Sequence, residues 1–131
     1  MTRQRHHDRG QSVTVFIAVA MVALLAVAGL VVDGGRRATT TRDLQLVAQQ
    51  AARAGADSAA QLQINGDSGS RATAGAQRFL AAAGVSGSAR VRGTVIEVET
   101  RAQVPTVFLS VIGIRSLSAS GWATAQIEQQ R

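Results

Sequence analysis

The sequence predicts an α+β fold: a single N-terminal transmembrane helix continuing into an Ala-rich helical stalk, then a second helix packed on a small three-stranded antiparallel sheet. Three observations predict it. Val13–Val32 is a run of twenty residues without a charge. Between Thr39 and Ile64 apolar residues recur every three or four positions, the spacing of one helix face. From Ala89 onward the period falls to two, the spacing of a strand with one buried side.

At 131 residues the chain has room for about one domain. Of its residues 46% are hydrophobic but only 3% aromatic, namely Phe16, Phe79, Phe108 and Trp122, so the core is expected to be built from Ala, Val and Gly. Cysteine is absent, which excludes disulfides, thiolate catalysis and Cys-type zinc sites. The net charge of +6 arises from fourteen Arg without any Lys against eight acids. It divides into +2 before the apolar run and +4 spread over the region after it. Without a basic stripe interleaved with aromatics, that charge provides no stacking platform, and no specific nucleic acid is expected as a partner.

Residues 1–12 form a short basic tail with Arg3, Arg5 and Arg9, and residues 13–32 the transmembrane helix. Twenty residues at ~1.5 Å each cross the ~30 Å hydrocarbon core of a bilayer. A cleaved signal peptide is the competing reading, since Ala26-Val27-Ala28 has the small residues of a cleavage site. The apolar run continues past it to Val32, which favours retention. Arginines are balanced at three on each flank, so size decides orientation. The tail is predicted to be cytoplasmic and the 99 residues after Val32 extracytoplasmic, giving a single-pass protein of the cell membrane.

Residues 33–84 are predicted to be the helical stalk and second helix. Leu44, Val47, Ala48, Ala51, Gly55, Ala59 and Leu62 share one helix face, Asn65-Gly66 marks a stop, and Arg71–Ala83 a second helix closed by Gly84. Gly34-Gly35 either breaks the first helix or lies within it, in which case span and stalk form one rod of about 75 Å. Residues 85–131 are predicted to be the sheet. After a Ser/Gly linker at 85–88, Ala89–Arg92 pairs with Thr94–Val104 through a type II′ turn at Gly93-Thr94. That register sets Val91 against Ile96, Ala89 against Val98 and Arg90 against Glu97. Pro105 is expected to end the pairing and open a short helix at 105–112. A last alternating stretch aligns Leu117, Ala119, Gly121, Ala123, Ala125 and Ile127, with Trp122 on the opposite, polar face.

Chemistry is sparse. Gly66-Asp67-Ser68-Gly69 looks like the tetrapeptide around the nucleophile of trypsin-like proteases, but such a serine needs a positioned histidine, and His6 and His7 lie before the span. A turn between two helices accounts for it. Glu97 and Glu99 sit among arginines on one strand face, where cross-strand pairing explains them. No catalytic residue, metal ligand, cofactor or small-molecule substrate is expected. Asp33, at the end of the apolar run, is read either as a boundary charge or as an assembly contact to an arginine of a neighbour.

The segment RGQSVTVFIAVAMVALLAVAGLVVDGGR resembles the N-terminal segment of TadE/TadG-type proteins of the Tad (Flp, tight adherence) pilus system. In that family a short basic tail and a glycine precede one membrane helix ending in an Asp-x-Gly-Arg-like sequence. Gly10, Phe16, Asp33, Gly35 and Arg36 match that pattern. LQLVAQQAARAGADSAA is similar to the Ala-rich stalk of the TadG branch, and VPTVFLSVIGIRSLSASGWATAQ resembles its distal helix-and-strand segment. The Arg-only, Ala-rich style resembles actinobacterial members. Cleaved relatives such as TadE carry a glutamate five residues after the cut glycine. Here that position is Val15, which groups the chain with the unprocessed TadG-like side. The resemblance implies a non-enzymatic, membrane-anchored structural or assembly component, minor pilin-like or anchoring, whose partners are the lipid bilayer and other Tad pilus or secretion-platform subunits. The alternative is a membrane-tethered extracytoplasmic module binding envelope polymer or DNA, unrelated to pili. Assembly residues are expected among Gly10, Val15, Phe16, Asp33, Gly35, Arg36 and Trp122.

Overall fold

In the computed structural model, which describes residues 8–60 and 67–127, two helices cover one face of a three-stranded antiparallel sheet. Leu62 and Asn65-Gly66, expected to close the stalk, lie outside the described residues.

Helix α1 runs from Asp8 to Ala60, 53 residues without a break. At ~1.5 Å per residue it is about 80 Å long. Gly34 and Gly35 lie inside it, and neither takes a positive φ. Each glycine costs about 1 kcal/mol relative to alanine in a helix. Tertiary contacts on both sides offset that cost: Asp33 is held from outside the helix, and from Leu44 onward the helix is packed. From Val13 to Val32 α1 is clothed almost entirely by its own exposed apolar side chains, the exception being Gly29, which is covered.

The second half of α1 supplies the core. Leu44, Ala48, Ala51 and Ala59 are buried against α2 and the sheet, as the periodicity predicts, and Ala52, beside that face, is buried with them. The Ala-rich face of the stalk is therefore spent on the chain's own domain. Helix α2 (Ser68–Ala82) starts three residues before the predicted Arg71, with Asp67 as its N-cap residue. It ends in a Schellman motif: Val85 N donates to Leu80 O, Gly84 N donates to Ala81 O, and Gly84 takes φ +66°. Gly55 of α1 lies so close to α2 that an added Cβ would meet Ala72 O at 2.7 Å. Small residues thus let the helices approach, and the core gains its stability from many small contacts, with Ile96 and Val98 its largest fully buried apolar side chains and Leu80 and Ile127 closing its margin.

The sheet order is β1-β2-β3, with β1 (Ser86–Arg92), β2 (Val95–Pro105) and β3 (Ser116–Gln126). The predicted register holds at all three positions, Val91↔Ile96, Ala89↔Val98 and Arg90↔Glu97. Gly93 has φ +62° while Thr94 does not, as a II′ turn requires. Two expectations change. The Ser/Gly stretch at 86–88 is strand, not linker: Gly87 lies flush on the sheet, where a Cβ would sit 3.0 Å from Leu80 Cδ1. Pro105 remains paired, opposite Ser116, and the helix expected at 105–112 is a single 3-10 turn, Leu109–Ile112, closed by Gly113 at φ +90°. Thr106 N donates to Arg115 O, so the preceding Pro105 turns its backbone the other way, towards the side where β1 has already ended at Ser86↔Arg101. A proline there forfeits no ladder bond.

Strand β3 keeps step with α1. Ser118 meets Arg37, Gly121 meets Leu44, and Ile96, paired with Ala125, meets Gly55. The β1–β2 turn is therefore at the end of the domain far from the apolar half of α1, and the β2–β3 tip is beside it.

Candidate functional site

Two places tie the sheet to α1, and both involve residues singled out in the sequence. The first is the β2–β3 tip. Asp33 is only 1% exposed, and its carboxylate accepts three consecutive amides: Val107 N to Oδ1 at 2.9 Å, Phe108 N to Oδ2 at 3.1 Å and Leu109 N to Oδ2 at 2.8 Å. These donors precede or open the 3-10 turn, where backbone N–H groups lack partners, and a carboxylate satisfies them best. The Leu109 amide, then the Val107 amide, hold the carboxyl below the usual carboxylate range; burial opposes them, while the Phe108 amide and the Arg36 guanidinium add to the lowering. One helical turn earlier, Phe108 rests directly on Gly29, and a Cβ at that position would overlap the phenylalanine side chain.

The second place is mid-domain. Thr100, fully buried, donates from Oγ1 to Leu44 O at 3.0 Å and to Gly121 O at 3.3 Å. Gly121 sits against the α1 backbone, where a Cβ would lie 2.5 Å from Gln45 N. Beside it, the Gln45 side chain grips the backbone of Trp122 at both ends: Trp122 N donates to Oε1 at 3.1 Å, and Nε2 donates to Trp122 O. With Arg37 Nε donating to Ser118 O at 2.9 Å, α1 occupies outward backbone groups of the β3 edge at two positions.

Of the residues predicted to matter, the structure brings Asp33 and Arg36 together at the tip and sets the others apart. Gly10 lies near the start of α1; Val15 and Phe16 are exposed in its apolar stretch, Phe16 by 73%. Gly35 faces open space, and its carbonyl accepts Thr39 Oγ1 at 3.1 Å. Trp122 is 57% exposed on the outer sheet face, beside Ser88, Arg90, Glu97 and Glu99. Glu97 pairs diagonally with Arg92 at 3.4 Å, and Glu99 with Arg101 of its own strand at 2.7 Å. Such exposed pairs contribute about 0–1 kcal/mol.

Sequence reading missed Thr100 and Gln45. Thr100 falls at an inward position of β2 between Val98 and Ala102, so its parity was available as a signal. Gln45 had none. The capping role of Asp33 was likewise invisible, because its acceptors' partners lie more than seventy positions away. Among the described residues no group of three or more His, Asp or Glu could hold a metal. Ser68 of the protease-like tetrapeptide opens α2; Gly66, His6 and His7 lie outside the described residues.

The fold defines a class: a small α+β domain built on the second half of one long helix, whose first half is long and apolar enough to cross a membrane and meets the domain near its end, at Gly29. Residues 10–60 match the Tad family, described as "Putative Flp pilus-assembly TadE/G-like". That segment is α1 almost end to end, and the sheet lies beyond it. No curated protein and no solved structure matches the chain.

Proposed function

We propose that this protein is a non-enzymatic, membrane-anchored structural or assembly component of a Tad-type pilus, of the TadG-related, unprocessed kind. The observation that carries the reading is the coincidence of the TadE/G-like segment with one unbroken helix, half uncovered apolar surface and half domain core. Residues 13–32 hold the chain in the cell membrane, the tail lies in the cytoplasm and the domain outside. A rigid connection through Gly34-Gly35 transmits the position of the anchor directly to the domain. The outer sheet face around Trp122 is the surface that meets other pilus subunits, since the Ala-rich face of the stalk is already buried. The apolar run that continues past Ala26-Val27-Ala28 to Val32 supports retention of the span, and Val15 in place of glutamate supports an uncut Gly10.

Deletion of the coding sequence tests the role: surface pili and adherence are expected to fall, with the protein recovered in the membrane fraction. Normal piliation in a clean deletion refutes it. Single cysteines at Ser12 and Ser86, labelled with an impermeant reagent on intact cells, test orientation; only the second is expected to react. An N-terminus at Gln11 or Gly29 in the mature protein overturns the unprocessed anchor.

A further inference from the structure

We infer that the β2–β3 tip, Val107–Ile114, is a second membrane contact that lies in the bilayer interface alongside α1. The inference rests on the reading of α1 as a membrane span and adds to it an occupant for the tip, the lipid itself.

Three independent features carry it. The first is composition and exposure. No charge occurs from Ala102 to Ile114, and within this stretch Val111 is 86% and Ile112 71% exposed, with Val107, Phe108 and Ile114 also on the surface. A contiguous apolar patch of this kind calls for a partner. The second is depth. Phe108 packs on Gly29, inside the apolar run and four residues before Asp33, so the tip overlaps the span by about 6 Å of helix rise. Interfacial elements lie about 5–10 Å into the headgroup and acyl boundary. The apolar surface of the tip is thus continuous with the lipid-facing surface of α1, and the Asp33 carboxylate fixes it at that level.

The third is backbone satisfaction. Polar groups entering an apolar phase must find partners within the protein. Three tip amides are spent on Asp33, and those of Thr106, Val111, Gly113 and Ile114 on carbonyls of the tip and Arg115. The hydroxyls turn inward as well: Ser110 Oγ donates to Val107 O at 2.6 Å, and Thr106 Oγ1 donates to Ile114 O. Arg36, whose charge acts on Asp33, Arg37, bonded to Ser118 O, and Arg115, next after Ile114, lie at the base of the tip, where their guanidinium groups can meet lipid phosphates.

Because the chain lacks cysteine, single-cysteine variants of the full protein can carry an environment-sensitive fluorophore in phosphatidylcholine/phosphatidylglycerol vesicles at low protein-to-lipid ratio. At Val111→Cys the emission is expected to shift to the blue and to be quenched most by lipids brominated near the headgroup end of the acyl chain. Leu24→Cys should be quenched by deep bromines, and Thr124→Cys by neither. Quenching at Leu24 without quenching at Val111 overturns the tip contact and leaves the anchor standing. An unquenched Leu24 removes the anchor reading and the tip contact with it. A blue shift at Val111 that vanishes as vesicles are diluted with more lipid assigns the tip to a second copy of the chain and also overturns the proposal.

Discussion

Leu109 N donates to the Asp33 carboxylate at 2.8 Å, joining residues 76 positions apart. This bond and its two neighbours decide how the sheet is set against the helix, because they fix the near end of β2 and β3 at one level of α1. Asp33→Asn keeps the shape but removes the charge and one of the two acceptor oxygens. Hydrogen exchange of the Val107, Phe108 and Leu109 amides is expected to accelerate at least tenfold in this variant, with the amides of the β1–β2 ladder unchanged. Unaltered exchange at the three amides would remove the cap from the account.

The same carboxylate makes the tip pH-sensitive. Its folded pKa is depressed by the amides, so it contributes stability above the ordinary carboxyl value of ~3.9, and that contribution is lost as pH falls through the lower folded value. Docking of the tip on Gly29, read from a fluorophore at Val111→Cys in detergent micelles, should loosen on acidification from pH 5 to pH 2. In the Asp33→Asn background the response of the tip in that window should disappear.

Gly34 and Gly35 offer a prediction of opposite sign from Gly29. A Cβ at either of the first two meets nothing within 4 Å, and both are helical, so Gly→Ala should stabilise α1 by about 0.5–1 kcal/mol each. At Gly29 the same change drives a methyl into Phe108, and the tip should undock despite the better helix propensity. Thermal unfolding of the solubilised chain, together with exchange at Phe108, separates the two outcomes.

The lock around Thr100 gives the largest expected losses. Thr100→Val keeps the volume and deletes both hydroxyl bonds, a cost of about 1 kcal/mol. Gly121→Ala forces β3 away from the Leu44 backbone and should cost about 1–3 kcal/mol. Chemical unfolding followed by the emission of Trp122, the only tryptophan, measures both. Trp122→Phe, by contrast, should change stability by no more than about 0.5 kcal/mol, since Gln45 holds its backbone and leaves the ring exposed.

Much of this architecture was legible from local pattern. The uncharged run of Val13–Val32, the Ala48–Ala51–Gly55–Ala59 face and the alternation of Ile96, Val98 and Val104 each express a single periodicity, and burial follows periodicity. The β1–β2 register was legible too, because a two-residue turn at Gly93-Thr94 leaves only one pairing that matches apolar with apolar. The limits of the elements were less legible. Ser86–Ser88 has the composition of a linker, and becomes strand because β2 offers it a ladder and Leu80 a surface. Pro105 normally interrupts pairing, and is tolerated because no third strand reaches it.

The sequence by itself determined the apolar half of α1, the helical and strand faces and the hairpin turn, since each depends on residues within a few positions of one another. Only the tertiary structure decided whether α1 bends at Gly34-Gly35, what Asp33 does, and where the β2–β3 tip lies. Those outcomes depend on groups brought together across seventy or more residues, such as Asp33 with Leu109 and Gln45 with Trp122. Their bonds form only once the small residues of the core let helix and sheet come into contact, and no spacing along the chain records that approach.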